Sequence, residues 1–155
     1  LTDTELSQFK MKGYVHKPYA PIYAMLARHG GFDSALLVRG VEGGVTASLR
    51  QASTTYQFIG EQPEVAVEVD PESLGIQHDL RAPAIPVGVE GNEEISKRAA
   101  EAGIKALEGR EGITFDTLLL SATLVLHHLG RCETLEQGAE LVRDVLKSGG
   151  AAGRI

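Results

Sequence analysis

Three features of this sequence predict an α/β domain with a mixed sheet flanked by helices. The apolar run Ala35 to Val38 feeds the glycine-rich turn Gly40-Val-Glu-Gly-Gly44, as a buried strand does when it opens onto a loop. Val65, Val67 and Val69 alternate with Ala66, Glu68 and Asp70, the period of two of a strand with one wet face. Three stretches with helical spacing occupy most of the chain after Asn92. Strands early and helices late give an α/β or α+β domain.

Each element has its own justification. Residues 1–12 are polar and mixed and read as a linker or the frayed remnant of a helix, leaving 13–155 as a single α/β domain. A helix is expected from Pro18, because Pro18 and Pro21 fall in a first turn whose N–H groups lack partners anyway. Ile22, Met25, Leu26 and His29 follow at helical spacing, and Gly30-Gly31 supplies the stop. Ala35 to Val38 is continuous and apolar, which suits a strand buried on both faces. Thr54 to Ile59 is rich in β-branched and aromatic residues and reads as the next strand. Asp70-Pro71 breaks the valine strand, and the prolines and glycines of 81–91 make an extended loop.

The first late helix runs from about Glu93 to Leu107, with Asn92 as its N-cap and Gly109 just past its end. Glu94 with Arg98, and Glu101 with Lys105, are i,i+4 pairs on its exposed side. The second, about Phe115 to Leu129, is apolar nearly all round and is expected to be the central buried helix. The third opens on Thr134-Leu-Glu-Gln137, a capping-box pattern, carries the stripe Leu135, Ala139, Val142, Val145 and Leu146, and ends at Gly149-Gly150.

Composition narrows the function classes. A length of 155 residues suits one domain with its own core. The formal charge of −6 opposes a whole-domain attraction to phosphate backbones, which rests on Lys and Arg. Cys132 stands alone, so no intrachain disulfide forms and a reducing cytoplasm is the expected compartment. No apolar stretch approaches the roughly 20 residues of a membrane span, so no membrane partner is expected. The first residue is Leu, which leads to the expectation of a fragment of a larger protein.

The chemical candidates gather at the glycine turn. Glu42 is a candidate Mg²⁺ ligand through carboxylate oxygen; the alternative is a solvated loop carboxylate beside glycines needed for tight backbone geometry. Arg39, Gly40, Gly43 and Gly44 are candidate phosphate-binding positions, although the glycines match neither a P-loop nor a dinucleotide fingerprint. For Arg39, an ion pair with Glu42 is the preferred expectation. His127-His128 are neighbours on a helix and do not face a common metal, so C-terminal capping or packing is expected. His16, His29 and His78 lack zinc spacing, and Cys132 lacks a nucleophile signature.

Several segments together resemble one family. Gly13-Tyr-Val-His-Lys-Pro-Tyr19, Ala35-Leu-Leu-Val-Arg-Gly40, Val69-Asp-Pro-Glu-Ser-Leu-Gly75, the Asp116–Gly130 helix and Thr134–Arg143 resemble, in order and content, the C-terminal half of anthranilate phosphoribosyltransferase and its paralogues, glycosyltransferase family 3. The resemblance covers roughly residues 13–150. It implies a nucleoside-phosphorylase-like α/β portion without its N-terminal helical domain, and transfer of a phosphoribosyl group from phosphoribosyl pyrophosphate with Mg²⁺. It places the pyrophosphate loop in the part preceding Leu1, so no residue here is assigned as a catalyst. It aligns the family's Asp-Glu metal pair with Val45-Thr46, neither of which can replace a carboxylate. Loss of that pair removes much of the charge neutralisation a pyrophosphate leaving group needs. The expectation is therefore a divergent paralogue that is inactive as this chain alone and in which Mg²⁺ is in doubt. The alternative is a non-catalytic nucleic-acid-binding paralogue on the same scaffold. The resemblance also implies a homodimer for the full-length protein, through the helical domain, and a monomeric fragment.

Overall fold

The structure, a computed structural model, describes residues 9–85 and 88–154. Its elements are β1 Phe9–Gly13, α1 Ala20–His29, β2 Ser34–Val38, β3 Ser53–Ile59, β4 Val65–Val69, α2 Asn92–Leu107, α3 Ile113–His128 and α4 Leu135–Lys147. The four strands form one sheet in the order β1-β2-β3-β4. β1 and β2 are parallel, and the other two pairs are antiparallel, so the sheet is mixed as expected.

Two cores lie on the two faces of the sheet, and β2 feeds both. Ala35 and Leu37 join Tyr14, Ala24 and Phe58 under α1. Leu36 and Val38 join Val69, Leu119, Leu124 and Leu146 under α3 and α4. Side chains alternate along a strand, so a strand covered by helices on both faces must be apolar at every position. The uninterrupted Ala35–Val38 run is that requirement written in sequence.

Several expectations are corrected. Residues 9–12 are strand, not linker: β1 pairs with β2 from Phe9↔Ser34 to Gly13↔Val38. Phe9 and Met11 pack on the α3 side, while Lys10 and Lys12 sit over the rings of Phe32 and Tyr23. The lysines look loop-like in sequence because β1 is the outermost strand, where a charged side chain is tolerated. Residues 1–8 lie outside the described residues.

In α1 the inward face is Ala20, Ala24 and Ala27; Ile22, Met25 and Leu26 are exposed by 47, 60 and 54%. Alanines at i, i+4 and i+7 let the helix axis approach the sheet, and the larger residues are left outside. Asn92 lies within α2; the cap is Gly91, whose φ of 89° favours glycine, and no side-chain cap bond forms. Glu94 pairs with Arg98 at 2.8 Å, whereas no ion pair joins Glu101 to Lys105 among the described residues.

The helix α3 is not buried all round. Phe115, Leu119, Leu120, Thr123 and Leu124 are buried, and Leu118, Ala122, Val125 and Leu126 remain partly exposed. At α4, Thr134 Oγ1 accepts the Gln137 N–H at 3.2 Å, while Gln137 Oε1 reaches back to the Glu133 N–H at 3.1 Å. The capping box is therefore displaced by one residue. Ala139, Val142 and Leu146 are buried along the predicted stripe, but Val145 is 53% exposed. In the 81–91 loop, residues 86 and 87 lie outside the described residues.

Candidate functional site

β1 and β2 run parallel, so their carboxyl ends open on the same edge of the sheet, where ligands of α/β folds collect. The chain leaves β1 through Tyr14, Val15 and His16 into a short 3-10 turn, Lys17–Tyr19. It leaves β2 through Arg39 into a second 3-10 turn, Val41–Gly43. The second turn is closed by backbone bonds: Val41 N–H to Thr46 C=O at 2.8 Å, Gly44 N–H to Val41 C=O at 3.0 Å, and Gly43 N–H to Gly40 C=O at 3.2 Å.

The glycines serve close backbone approach. A Cβ on Gly13 or on Gly40 would overlap the carbonyl oxygen of Gly44, so the loop is wedged between the two strand ends. Gly43 has φ 79°, and a Cβ there would meet Val15 Cγ2 at 2.7 Å. Glu42 holds a left-handed backbone (φ 53°, ψ 28°), unusual for a residue with a side chain. Gly13 is not among the sequence-predicted positions, yet it fixes the loop as firmly as Gly40 does.

Tyr14 anchors the same edge from beneath. It is 1% exposed, and its hydroxyl donates to the Thr54 carbonyl at 2.9 Å. Burial pushes its phenol up to about 12, with Tyr56 adding to the rise and Arg39 opposing it.

Arg39 and Glu42 are both exposed, and no ion pair joins them among the described residues. The expected pairing is corrected: water already solvates both charges there, and a surface pair adds little. Val45 is 45% exposed, and Thr46 uses its carbonyl to close the turn. Glu42 is thus the one carboxylate of the loop, beside an apolar and a hydroxyl side chain. Among the described residues no group of three His, Cys, Asp or Glu side chains is placed to hold a metal ion.

A second polar feature has no signal in the sequence. His78 Nε2 lies 2.6 Å from Asp116 Oδ2, joining the segment after β4 to the first turns of α3. His78 borders a cleft of about 390 Å³ lined also by Arg50, Asp70, Glu72 and Gln77. The partners are far apart in the chain, and no local pattern announces such a contact.

His128 is 2% exposed, with Nδ1 3.1 Å from Gln57 Oε1 and its ring centroid 5.0 Å from that of Phe9. Burial holds its pKa below the ordinary histidine range, and His127 adds to that. His128 therefore packs, one of the two roles expected for the pair. Cys132 is half-buried with its thiol pushed up by burial, the opposite of an activated nucleophile. No helix among the described residues is long and apolar enough to cross a membrane.

Known proteins share this architecture. The sequence model described as "Glycosyl transferase family, a/b domain" matches residues 3–152. An uncharacterized protein of Aquifex aeolicus is 30% identical over 138 residues, spanning 86% of this chain and 41% of that one. An anthranilate phosphoribosyltransferase of Bacillus cereus is 28% identical over 142 residues, 89% of this chain and 37% of that one. Among solved structures, anthranilate phosphoribosyltransferase from Thermus thermophilus superposes with a TM-score of 0.59 at 23% identity, over 90% of this chain and 38% of that one. The Saccharomyces cerevisiae enzyme in complex with PRPP and Mg gives 0.65 at 17% identity, over 93 and 40%. The chain thus spans about two fifths of the length of the relatives it matches.

Proposed function

Because the chain belongs to the glycosyl transferase family at its a/b domain, we propose that it is the C-terminal portion of a divergent phosphoribosyltransferase-type protein whose metal site has been dismantled. The observation that carries this reading is the loop after β2. It has a tight glycine-wedged geometry at the carboxyl edge of the parallel pair and presents Glu42 alone, with Val45 and Thr46 where the resemblance puts the Asp-Glu pair. In the reading proposed, Arg39 is the group left to meet a phosphate, since the Val41, Gly43 and Gly44 N–H groups close the turn, and no metal-dependent step is assigned to these residues. The chain alone turns nothing over.

The test is a calorimetric titration of the family-length protein with phosphoribosyl pyrophosphate, with and without Mg²⁺. Under this reading, Mg²⁺ changes the affinity little in the parent, and Val45→Asp with Thr46→Glu restores a Mg²⁺-dependent increase. A parent that already binds in a strongly Mg²⁺-dependent way would refute the dismantled site. Equal affinities in the grafted and parent proteins would refute the alignment of the loop.

One observation favours the second reading, a nucleic-acid-binding protein on the same scaffold. Lys10 Nζ lies 5.2 Å from the Phe32 ring centroid and Lys12 Nζ 5.5 Å from that of Tyr23, interleaving cations with aromatic faces along β1. Single-stranded nucleic acid is held by that combination. Its signature is an affinity that falls steeply with salt and is weakened by replacing Lys10 and Lys12 together. Binding that ignores salt would exclude it.

A further inference from the structure

β4 ends the sheet on the side away from β1, and β3 is its one strand neighbour among the described residues. An outermost strand turns alternate backbone N–H and C=O groups away from the sheet, where another chain can pair with them. The pairing of β4 with β3 runs unbroken from Ser53↔Val69 to Gln57↔Val65, so no bulge twists that edge out of reach. Val65–Val69 contains neither Lys nor Pro, and Glu68 is its one charged residue.

The turn leading into β4 is braced from α1. Arg28 donates to Glu64 Oε1 and to the Gln62 carbonyl, both at 2.6 Å, and its guanidinium lies 4.0 Å from the centroid of the Phe58 ring. An edge already held in strand geometry loses little freedom when a partner pairs with it.

The two sides of this edge differ in chemistry. Val69 belongs to the core beneath α3, so by alternation Val65 and Val67 lie on that face and Ala66 and Glu68 on the other. Val65 is 56% exposed, and Ile59, on the same face of β3, is 55% exposed. Charge along this part of the chain has one sign: Gln51 through Leu80 contains six carboxylates and no Lys or Arg. Glu64 is taken by Arg28, whereas Glu68 and Asp70 have no ion-pair partner among the described residues.

We propose that the outer edge of β4 binds an extended partner polypeptide as an added strand, one whose side chains alternate between apolar and basic. Backbone bonds hold any extended chain there; apolar side chains beside Val65 and Val67, and Lys or Arg beside Glu68, select among them. A second copy of β4 is the poorer occupant. Antiparallel self-pairing about Val67 sets Glu64 against Asp70 at both ends, and like charges across a strand pair are destabilising. The proposal does not depend on phosphoribosyl transfer, so a failed titration with phosphoribosyl pyrophosphate leaves it standing.

The probe is the peptide acetyl-Lys-Val-Lys-Val-Lys-Val-amide, titrated into the family-length protein with hydrogen exchange as the readout. At saturation the β4 amides are expected to exchange about tenfold or more slowly, with the β1 amides unchanged. The matching Glu-Val peptide should leave β4 exchange as it was. Two further Lys-Val peptides, one N-methylated at every lysine and one at every valine, keep the charge but each lose the donors of one edge. The peptide whose blocked edge meets β4 should bind about tenfold or more weakly than the other. Val65→Lys combined with Glu68→Lys should weaken the unmodified peptide by about fivefold or more. Both parent side chains are exposed, so the melting temperature should not change. Unaltered β4 exchange with the Lys-Val peptide, equal binding of the Lys-Val and Glu-Val peptides, or equal binding of the two N-methylated peptides overturns the proposal. So does self-association that protects β4 without peptide, which would give the edge to a second copy. If the double variant fails to express, the N-methylated pair on the unmodified protein decides alone.

Discussion

Gly40→Ala sets two opposite effects against each other. Gly40 has φ −80° and ψ 163°, an extended conformation that alanine adopts freely. On chain entropy alone the substitution would stabilise the fold by about 0.4–1 kcal/mol. Yet the added methyl would overlap the Gly44 carbonyl and lie 3.1 Å from the Thr46 carbonyl oxygen. Both obstacles are backbone, tied down by the bonds Val41 makes to Gly44 and Thr46. The loop must therefore shift, at an overpacking cost of about 1–3 kcal/mol. Each turn bond it breaks adds about 0.5–1.5 kcal/mol. The steric side wins, with a net loss of roughly 1–4 kcal/mol. For a chain of this size each kcal/mol moves the melting temperature by about 2–4 °C. Gly103→Ala is the control: Gly103 lies in α2, and a methyl added there would have nothing within 4 Å, so alanine should stabilise by about 0.5–1 kcal/mol. Urea and thermal unfolding of the two variants should shift in opposite directions. A Gly40→Ala protein as stable as its parent would refute the wedge and return the glycines to a ligand-binding role.

Three further outcomes follow from the interior. Tyr14 has a raised pKa, so its stabilisation is complete below the ordinary phenol value near 10 and is lost as pH climbs through 10 toward about 12; Tyr14→Phe should cost about 1 kcal/mol at pH 8 and flatten that alkaline loss in urea midpoints. His128 is depressed, so its contribution is complete above about pH 6.5 and is lost as pH falls through that value toward the lower folded pKa; His128→Asn should remove this segment of the acid limb, and an unchanged limb would show that burial does not depress His128 in the fold. Leu119 is wholly buried between sheet and α4, and Leu119→Ala should cost about 2–5 kcal/mol, read as a lowered urea midpoint at unchanged slope.

Elements are legible wherever one residue's neighbours in sequence are also its neighbours in space. The double burial of β2, the Thr134 cap and the glycine stops are local facts, and the sequence carries them openly. β1 is hidden because an edge strand with lysines on one face has no apolar run to betray it. The inward face of α1 escapes notice for a related reason: a search for large apolar residues passes over Ala20, Ala24 and Ala27, although small size is what lets that helix lie close on the sheet. In the candidate site, the strand-to-glycine transition points to Arg39 through Gly44. The partner of that loop, Gly13, and the pairing of His78 with Asp116 depend on which chain ends the sheet brings together, and no short window contains that information.

The sheet follows the order of the chain, so no strand residue has a ladder partner further along the sequence than Ser34 is from Phe9. Loop closure between such partners is entropically cheap, and local topologies fold faster than those that join distant segments. The sheet and α1 can therefore assemble before the three later helices arrive, starting from the short connection between β3 and β4. During synthesis the strands would emerge first and wait with one apolar face uncovered until α3 and α4 close over it.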